Sequence, residues 1–172
     1  MSAPTLLVTG ASGHLGRTVV RHLLDTLNID PARVIATSRK PEALADLAAQ
    51  GVTVRAADFD RPDTLAEAFR GADRLLLVST DALLEPGKRL MQHRAAVQAA
   101  VEARVKHVVY TSLPSPDTSH VSFAPDHLAT EQALAASGLG WTFLRNAWYA
   151  ENLAYALPSA LASGEWVTAA GA

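Results

Sequence analysis

Short apolar runs alternate along the chain with segments whose apolar residues recur every three or four positions. Leu6-Leu7-Val8 is the first run, and it leads into glycines at Gly10, Gly13 and Gly16. Leu15, Val19, Val20, Leu23 and Leu24 then follow a helical repeat, which predicts a helix over 14–27. Further apolar runs at 33–38, 52–56, 74–79, 107–111 and 141–144 read as strands. The segments at 41–51, 62–69, 86–105, 125–137 and 147–162 read as helices, with a short last strand expected over 165–168. Pro41 sits where a first helical residue belongs, and Gly51 and Gly71 close the helices before them. RLLLVS at 74–79 is nearly all apolar, as a strand covered on both faces should be. On the long helix Leu90, Val97, Ala100 and Val101 are expected to face inward.

Strict alternation of strand and helix predicts an α/β fold, a doubly wound parallel sheet with helices on both faces. With a glycine turn after the first strand, the expected strand order is 3-2-1-4-5-6, in one domain spanning 1–172. Ligands of such sheets bind beyond the carboxyl ends of the strands, at the switch between strands 1 and 4. A helix that starts in a sharp turn leaves its first N–H groups unpartnered, and they point at that turn with the positive end of the helix dipole. The stretch Gly10, Ala11, Ser12, Gly13, His14, Leu15 and Gly16 therefore makes a seat for a diphosphate. Gly10 permits the turn, Gly13 admits phosphate close to backbone, and Gly16 allows helix and strand to approach. The alternative is a glycine turn that binds nothing.

Composition narrows the partners. About half of the 172 residues are apolar (49%), and the formal net charge is −2, so nothing favours a nucleic acid partner. There is no cysteine, which excludes disulfides, thiolate chemistry and zinc–sulfur sites. No pair of histidines has metal-binding spacing, and His14, His22, His93, His107 and His120 are expected at the surface or at caps. No apolar run approaches the roughly 18 residues of a membrane span. MSAPTLLVTG lacks a basic leader, so a cytoplasmic protein with no membrane partner is expected.

The ends of the other strands refine the ligand. The second ends in Thr37-Ser38-Arg39-Lys40, two cations and no carboxylate. An acidic residue there would accept from the ribose hydroxyl of NAD, whereas Arg39 and Lys40 suit the 2′-phosphate of NADP. Solvated surface cations are the other reading. Asp58 and Phe59, after the third strand, are placed to meet adenine, and Ser79 and Thr80 end the fourth, where the middle of the cofactor passes.

GASGHLG, TSRKPE, GVTVRAADFD, LLLVST, QHR at 92–94, VVYTSL, DHLATE and above all LRNAWYAEN resemble the bacterial NAD(P)H:quinone oxidoreductases of the NmrA-like type, within the atypical short-chain dehydrogenase/reductases. The resemblance covers nearly the whole chain and implies a Rossmann fold and an NADPH-dependent, flavin-independent transfer of hydride to a quinone. It also implies a smaller C-terminal substrate-side domain, before which this sequence stops. The Tyr-x-x-x-Lys pair of ordinary superfamily members is missing. Counting back from Ser137-Gly138 puts its tyrosine at Phe123 and its lysine at His127. That disfavours alcohol oxidation and epimerisation, which need a proton taken from a hydroxyl, but not quinone reduction.

His127, in the first turn of a helix, is expected to be neutral and either to bond nicotinamide ribose or quinone oxygen, or merely to pack. Asn146, Trp148 and Tyr149 follow the sixth strand at the same rim, as an aromatic wall for a flat acceptor or as packing for the next helix. Glu151 and Asn152 line the pocket or cap backbone, while Thr111 and Ser112 support the nicotinamide end. Two functions remain: a quinone reductase with Asn146, Tyr149 and His127 at its reaction centre, or a dinucleotide-binding redox sensor that regulates a partner. The long helix over 86–105 offers a surface for a homodimer.

Overall fold

The computed structural model describes residues 3–166. Six strands, β1 (Leu6–Val8), β2 (Val34–Ser38), β3 (Thr53–Ala56), β4 (Arg74–Leu77), β5 (His107–Ser112) and β6 (Gly140–Arg145), form one sheet. Every pairing is parallel and the order is β3-β2-β1-β4-β5-β6, as the alternation predicts. The helices between them are α1 (His14–Arg21), α2 (Ala45–Ala48), α3 (Leu65–Phe69), α4 (Lys88–Glu102), α5 (Ala124–Ala136) and α6 (Glu151–Ser163).

Alternation along the strands divides the core in two. Leu7, Ile35, Leu75, Leu77, Val108 and Tyr110 join residues of α3, α4 and α5, among them Phe69, Ala96, Ala100 and Leu134. Val8, Val34, Ala36 and the partly buried Leu76 meet Val20, Leu44 and Leu47 on the α1 and α2 side. Neighbouring positions thus point to opposite faces, the two-sided burial expected of a parallel sheet.

Several expected boundaries shift. The first helix is α-helical only to Arg21 and continues as a π-helical turn over His22–Thr26. β4 ends at Leu77, because the next backbone donors leave the ladder for side chains. The last helix begins at Glu151, leaving 147–150 irregular. On α4, Val97 and Ala100 are buried as expected, but Val101 is exposed. Of the short strand expected over 165–168, Glu165 and Trp166 are in no strand and the rest lies outside the described residues. No helix among the described residues is long and apolar enough to cross a membrane.

Candidate dinucleotide site

Three local constraints shape the bend between β1 and α1. Gly10 holds φ +60°, the left-handed region that favours glycine. A Cβ on Gly16 would stand 2.4 Å from the Gly10 carbonyl oxygen, so the helix rests on the turn only because position 16 has no side chain. Gly13 is the N-cap residue and offers no side-chain oxygen, and the first bond of α1 runs from Arg17 N–H to the Gly13 carbonyl. The N–H groups of His14, Leu15 and Gly16 precede that bond and are the orphan donors of the helix start. Ala11, wholly buried, ties the bend to β2 by donating to the Thr37 carbonyl at 2.9 Å. Thr9 ties it to β4, its hydroxyl donating to the Leu76 carbonyl and accepting from Val78 N–H.

A cleft of about 280 Å³ opens beside this turn, across the carboxyl ends of β1, β2, β3 and β4. Of the residues expected to hold a dinucleotide, Gly10, Ser12, Gly13, Arg39, Asp58, Phe59, Ser79 and Thr80 line it. Ser12 and Ser38 share a 2.8 Å hydroxyl contact at the base of the Arg39 segment. No carboxylate follows Ser38 before Glu42. Lys40 is exposed and outside the lining, with its backbone N–H held by the Ser38 hydroxyl. Asp81 and Gln92 line the cleft without having been expected to. Gln92 donates to Asp60, and that carboxylate, which can only accept, fixes the orientation of the amide.

Three expected contacts lie behind the cleft rather than in it. Thr111 is buried and accepts from Ser79 N–H at 2.8 Å, so it supports the lining from below. Ser112 donates to Glu131, which also takes two bonds from Arg145. Burial opposes the charge on Glu131, but the bonds from Arg145 and Ser112 outweigh it and hold the carboxyl below its ordinary range. His127 is the main correction. Only 3% exposed, it has both ring nitrogens engaged, Nε2 by the Arg89 guanidinium at 2.7 Å and Nδ1 by the Tyr110 hydroxyl at 2.8 Å. No nitrogen is left for nicotinamide ribose or a quinone. The ring is neutral as expected, with burial first and then Arg89 pushing its pKa down to about 4.

His93 is the residue that sequence reasoning missed. Placed among the surface histidines, it is 0% exposed, and its Nε2 accepts from Thr80 N–H at 3.0 Å. The signal was spacing: His93 lies one helical turn before Val97 and so falls on the same inward stripe. His14, exposed as expected, meets Glu151 at 3.2 Å, so the starts of α1 and α6 touch. Beyond β6 the Asn146 amide donates to the Tyr149 hydroxyl at 3.1 Å, and Trp148 is 73% exposed. Asn152 N–H caps the Tyr149 carbonyl. These residues share a rim but do not line the cleft. No group of acidic or histidine side chains suited to a metal occurs among the described residues.

Residues 10–160 match the NAD(P)H-binding family model. Quinone oxidoreductase 2 of Escherichia coli is 42% identical over 166 residues, covering 96% of this chain and 56% of that protein. An NmrA-like family domain-containing oxidoreductase of Aspergillus flavus is 39% identical over 150 residues, 85% of this chain and 48% of that one. Among solved structures, triphenylmethane reductase of Citrobacter sp. complexed with NADP(H) superposes with a TM-score of 0.86 at 36% identity, covering 92% of this chain and 55% of that one. The NADPH-dependent quinone oxidoreductase of Escherichia coli complexed with NADPH gives 0.85 at 42% identity, covering 92% and 54%. The chain spans about half the length of the curated relatives it matches.

Proposed function

The chain belongs to this NAD(P)H-binding family, and from that premise we propose that it binds NADPH across the β1–β4 switch and delivers hydride to a quinone. The observation that carries the reading is the start of α1: uncapped, floored by Gly10 and Gly16, and flanked at the β2 exit by Arg39 with no carboxylate beside it. The orphan N–H groups hold a diphosphate, and the guanidinium takes the 2′-phosphate through charge-assisted bonds. Asp58 and Phe59 bound the adenine, and Ser79 and Thr80 floor the middle. When bound, the dinucleotide supplies a hydride, and a quinone that takes it with one proton leaves as the hydroquinone.

Asn146 and Tyr149 face the acceptor, their amide and phenol donating toward the oxygen that gains charge, with Trp148 as a flat wall. Direct transfer needs stacking within hydride reach and no proton taken from carbon or hydroxyl, which fits a site without an available Tyr–Lys pair. The names of the relatives support this substrate class, and the 42% identity extends through LRNAWYAEN.

NADPH oxidation measured with and without a simple benzoquinone, on protein assayed for bound flavin, tests the proposal. Acceptor-dependent oxidation by flavin-free protein is the expected result. NADPH binding with no acceptor-dependent turnover, in a protein that spans the full length of these relatives, would favour the redox-sensor reading instead.

A further inference from the structure

β4 stops at Leu77, yet the next three backbone donors are all taken, each by a side chain from a different element. Val78 N–H goes to Thr9 Oγ1 at 2.9 Å, Ser79 N–H to Thr111 Oγ1 at 2.8 Å and Thr80 N–H to His93 Nε2 at 3.0 Å. The Thr80 carbonyl accepts from Arg89, one helical turn before His93 on α4. The peptide groups of Thr80 are thus gripped on both sides, and Val78, Ser79 and Thr80 all line the cleft.

The grip has one possible pattern of protons. A backbone N–H and a guanidinium only donate, so Nε2 of both His93 and His127 must accept, and both protons sit on Nδ1. His127 then donates to the Tyr110 hydroxyl, and His93 to Thr130 at 3.0 Å, whose own hydroxyl donates to the Asp126 carbonyl. Burial, reinforced by Arg89, keeps His93 neutral with a pKa pushed down to about 3. Arg89 itself is 5% exposed and lies 5.2 Å over the Phe123 ring, with no carboxylate partner among the described residues and its Nε unbonded. Burying a guanidinium without a carboxylate is expensive. What the arrangement secures is the position of one peptide group in the lining.

We propose that His93 and Arg89 are positioning residues for the dinucleotide: by gripping the Thr80 peptide groups they fix the shelf that carries the nicotinamide-side phosphate and the nicotinamide ribose. The adenosine half rests on the Arg39, Asp58 and Phe59 side of the cleft and does not depend on the shelf. A cofactor and its adenosine fragment therefore report on different residues.

The test is binding to the purified protein of two ligands, NADPH and adenosine 2′,5′-bisphosphate. The fragment carries the phosphorylated ribose and ends at its 5′-phosphate. His93→Phe keeps a ring and removes the acceptor; leaving Thr80 N–H unpaired is expected to weaken NADPH about tenfold. The fragment's affinity stays within about twofold of wild type, being set elsewhere. His93→Gln restores an acceptor near the position of Nε2 and recovers most of the lost affinity. Equal weakening of both ligands, with no rescue by Gln, would reduce His93 to a general packing residue and overturn the inference, as would unchanged NADPH binding in His93→Phe. Should His93→Phe not fold, Thr111→Val removes the acceptor of Ser79 at nearly constant shape and must show the same selective loss. The readout is binding, so absence of quinone turnover leaves it standing; wild-type protein that binds neither ligand removes the cofactor reading and this inference together.

Discussion

The two ends of the sheet's carboxyl rim are built differently. Around β1, β2 and β4 the backbone donors that follow β4 are each taken by a side chain, β2 is buried at all five positions, and the bend is held to two neighbouring strands. Beyond β5 the chain opens. β6 has five of six residues exposed, α6 buries none, and Leu153, Tyr155, Leu157 and Leu161 are exposed, as is Trp148. The side proposed for the cofactor is specified by interlocking constraints within the chain, whereas the side proposed for the acceptor presents residue types with few contacts to fix them. Substitutions on the first should therefore act steeply and on binding, those on the second weakly and on the acceptor.

Gly16→Ala is the strongest way to break the first side. The added Cβ meets a backbone carbonyl at 2.4 Å, so the bend must move away from α1. NADPH affinity measured by titration should fall more than about a hundredfold, with a loss of several kcal/mol of stability. Gly164→Ala, at the end of α6, has the opposite profile. Its φ of +73° makes alanine strained by about 1 kcal/mol, but nothing lies within 4 Å and cofactor binding should not change. Comparable losses of NADPH affinity in the two variants would erase the contrast.

Acid pH is the next lever, because the histidines behind the shelf take up protons in the folded state only at a much lower pH than in the unfolded chain. Their folded pKa values, about 3 for His93 and about 4 for His127, lie below the ordinary value of about 6.5. Between these limits the unfolded chain binds the extra protons, so stability is complete above about pH 6.5 and falls as the pH drops. Each histidine contributes a slope of about 1.4 kcal/mol per pH unit, or about 4 kcal/mol for the pair between pH 7.5 and pH 5. Glu131 acts separately: with its pKa lowered, its contribution is present above the carboxylate range and lost only at still lower pH. Urea unfolding across this range checks the sign, and His93→Gln should flatten the slope by about half.

These two effects mark what the sequence made legible. Strand order, the glycine turn and the Arg39 exit followed from alternation and from residue types whose geometry is local. His93 did not, because an isolated histidine on a helix says nothing until the inward face is known, although its place one turn before Val97 carried that information. His127 was located on its helix but not in space. Both its nitrogens are claimed by Arg89 and Tyr110, residues 38 and 17 positions away, and no local spacing reveals such pairings. Thr111 and Ser112 failed as contacts for a related reason: β5 runs behind the cleft, and its hydroxyls serve Ser79 and Glu131 instead.

Arg39 sharpens the comparison within the cofactor side. It lines the cleft at the end of β2, directly after Ser38, whose hydroxyl meets that of Ser12. Arg39→Ala should weaken NADPH about ten- to a hundredfold, the worth of a charge-assisted bond, and leave NADH unchanged. Equal affinities for the two cofactors in wild type would place the 2′-phosphate elsewhere.

Tyr149→Phe should have the smallest effect, and it acts on the other side. The hydroxyl accepts from the Asn146 amide at 3.1 Å, the one side-chain hydrogen bond that holds this amide among the described residues. Removing it frees the amide without opening a cavity, so stability and NADPH affinity should stay at wild-type values. The KM for benzoquinone should rise about three- to tenfold, the worth of a neutral hydrogen bond in an exposed setting. A fall in NADPH affinity instead would mean that the rim beyond β6 belongs to the cofactor site, and the division between a built side and an open side would have to be redrawn at α6. The His14–Glu151 contact is where that would happen, since it joins the start of α1 to the first turn after Tyr149.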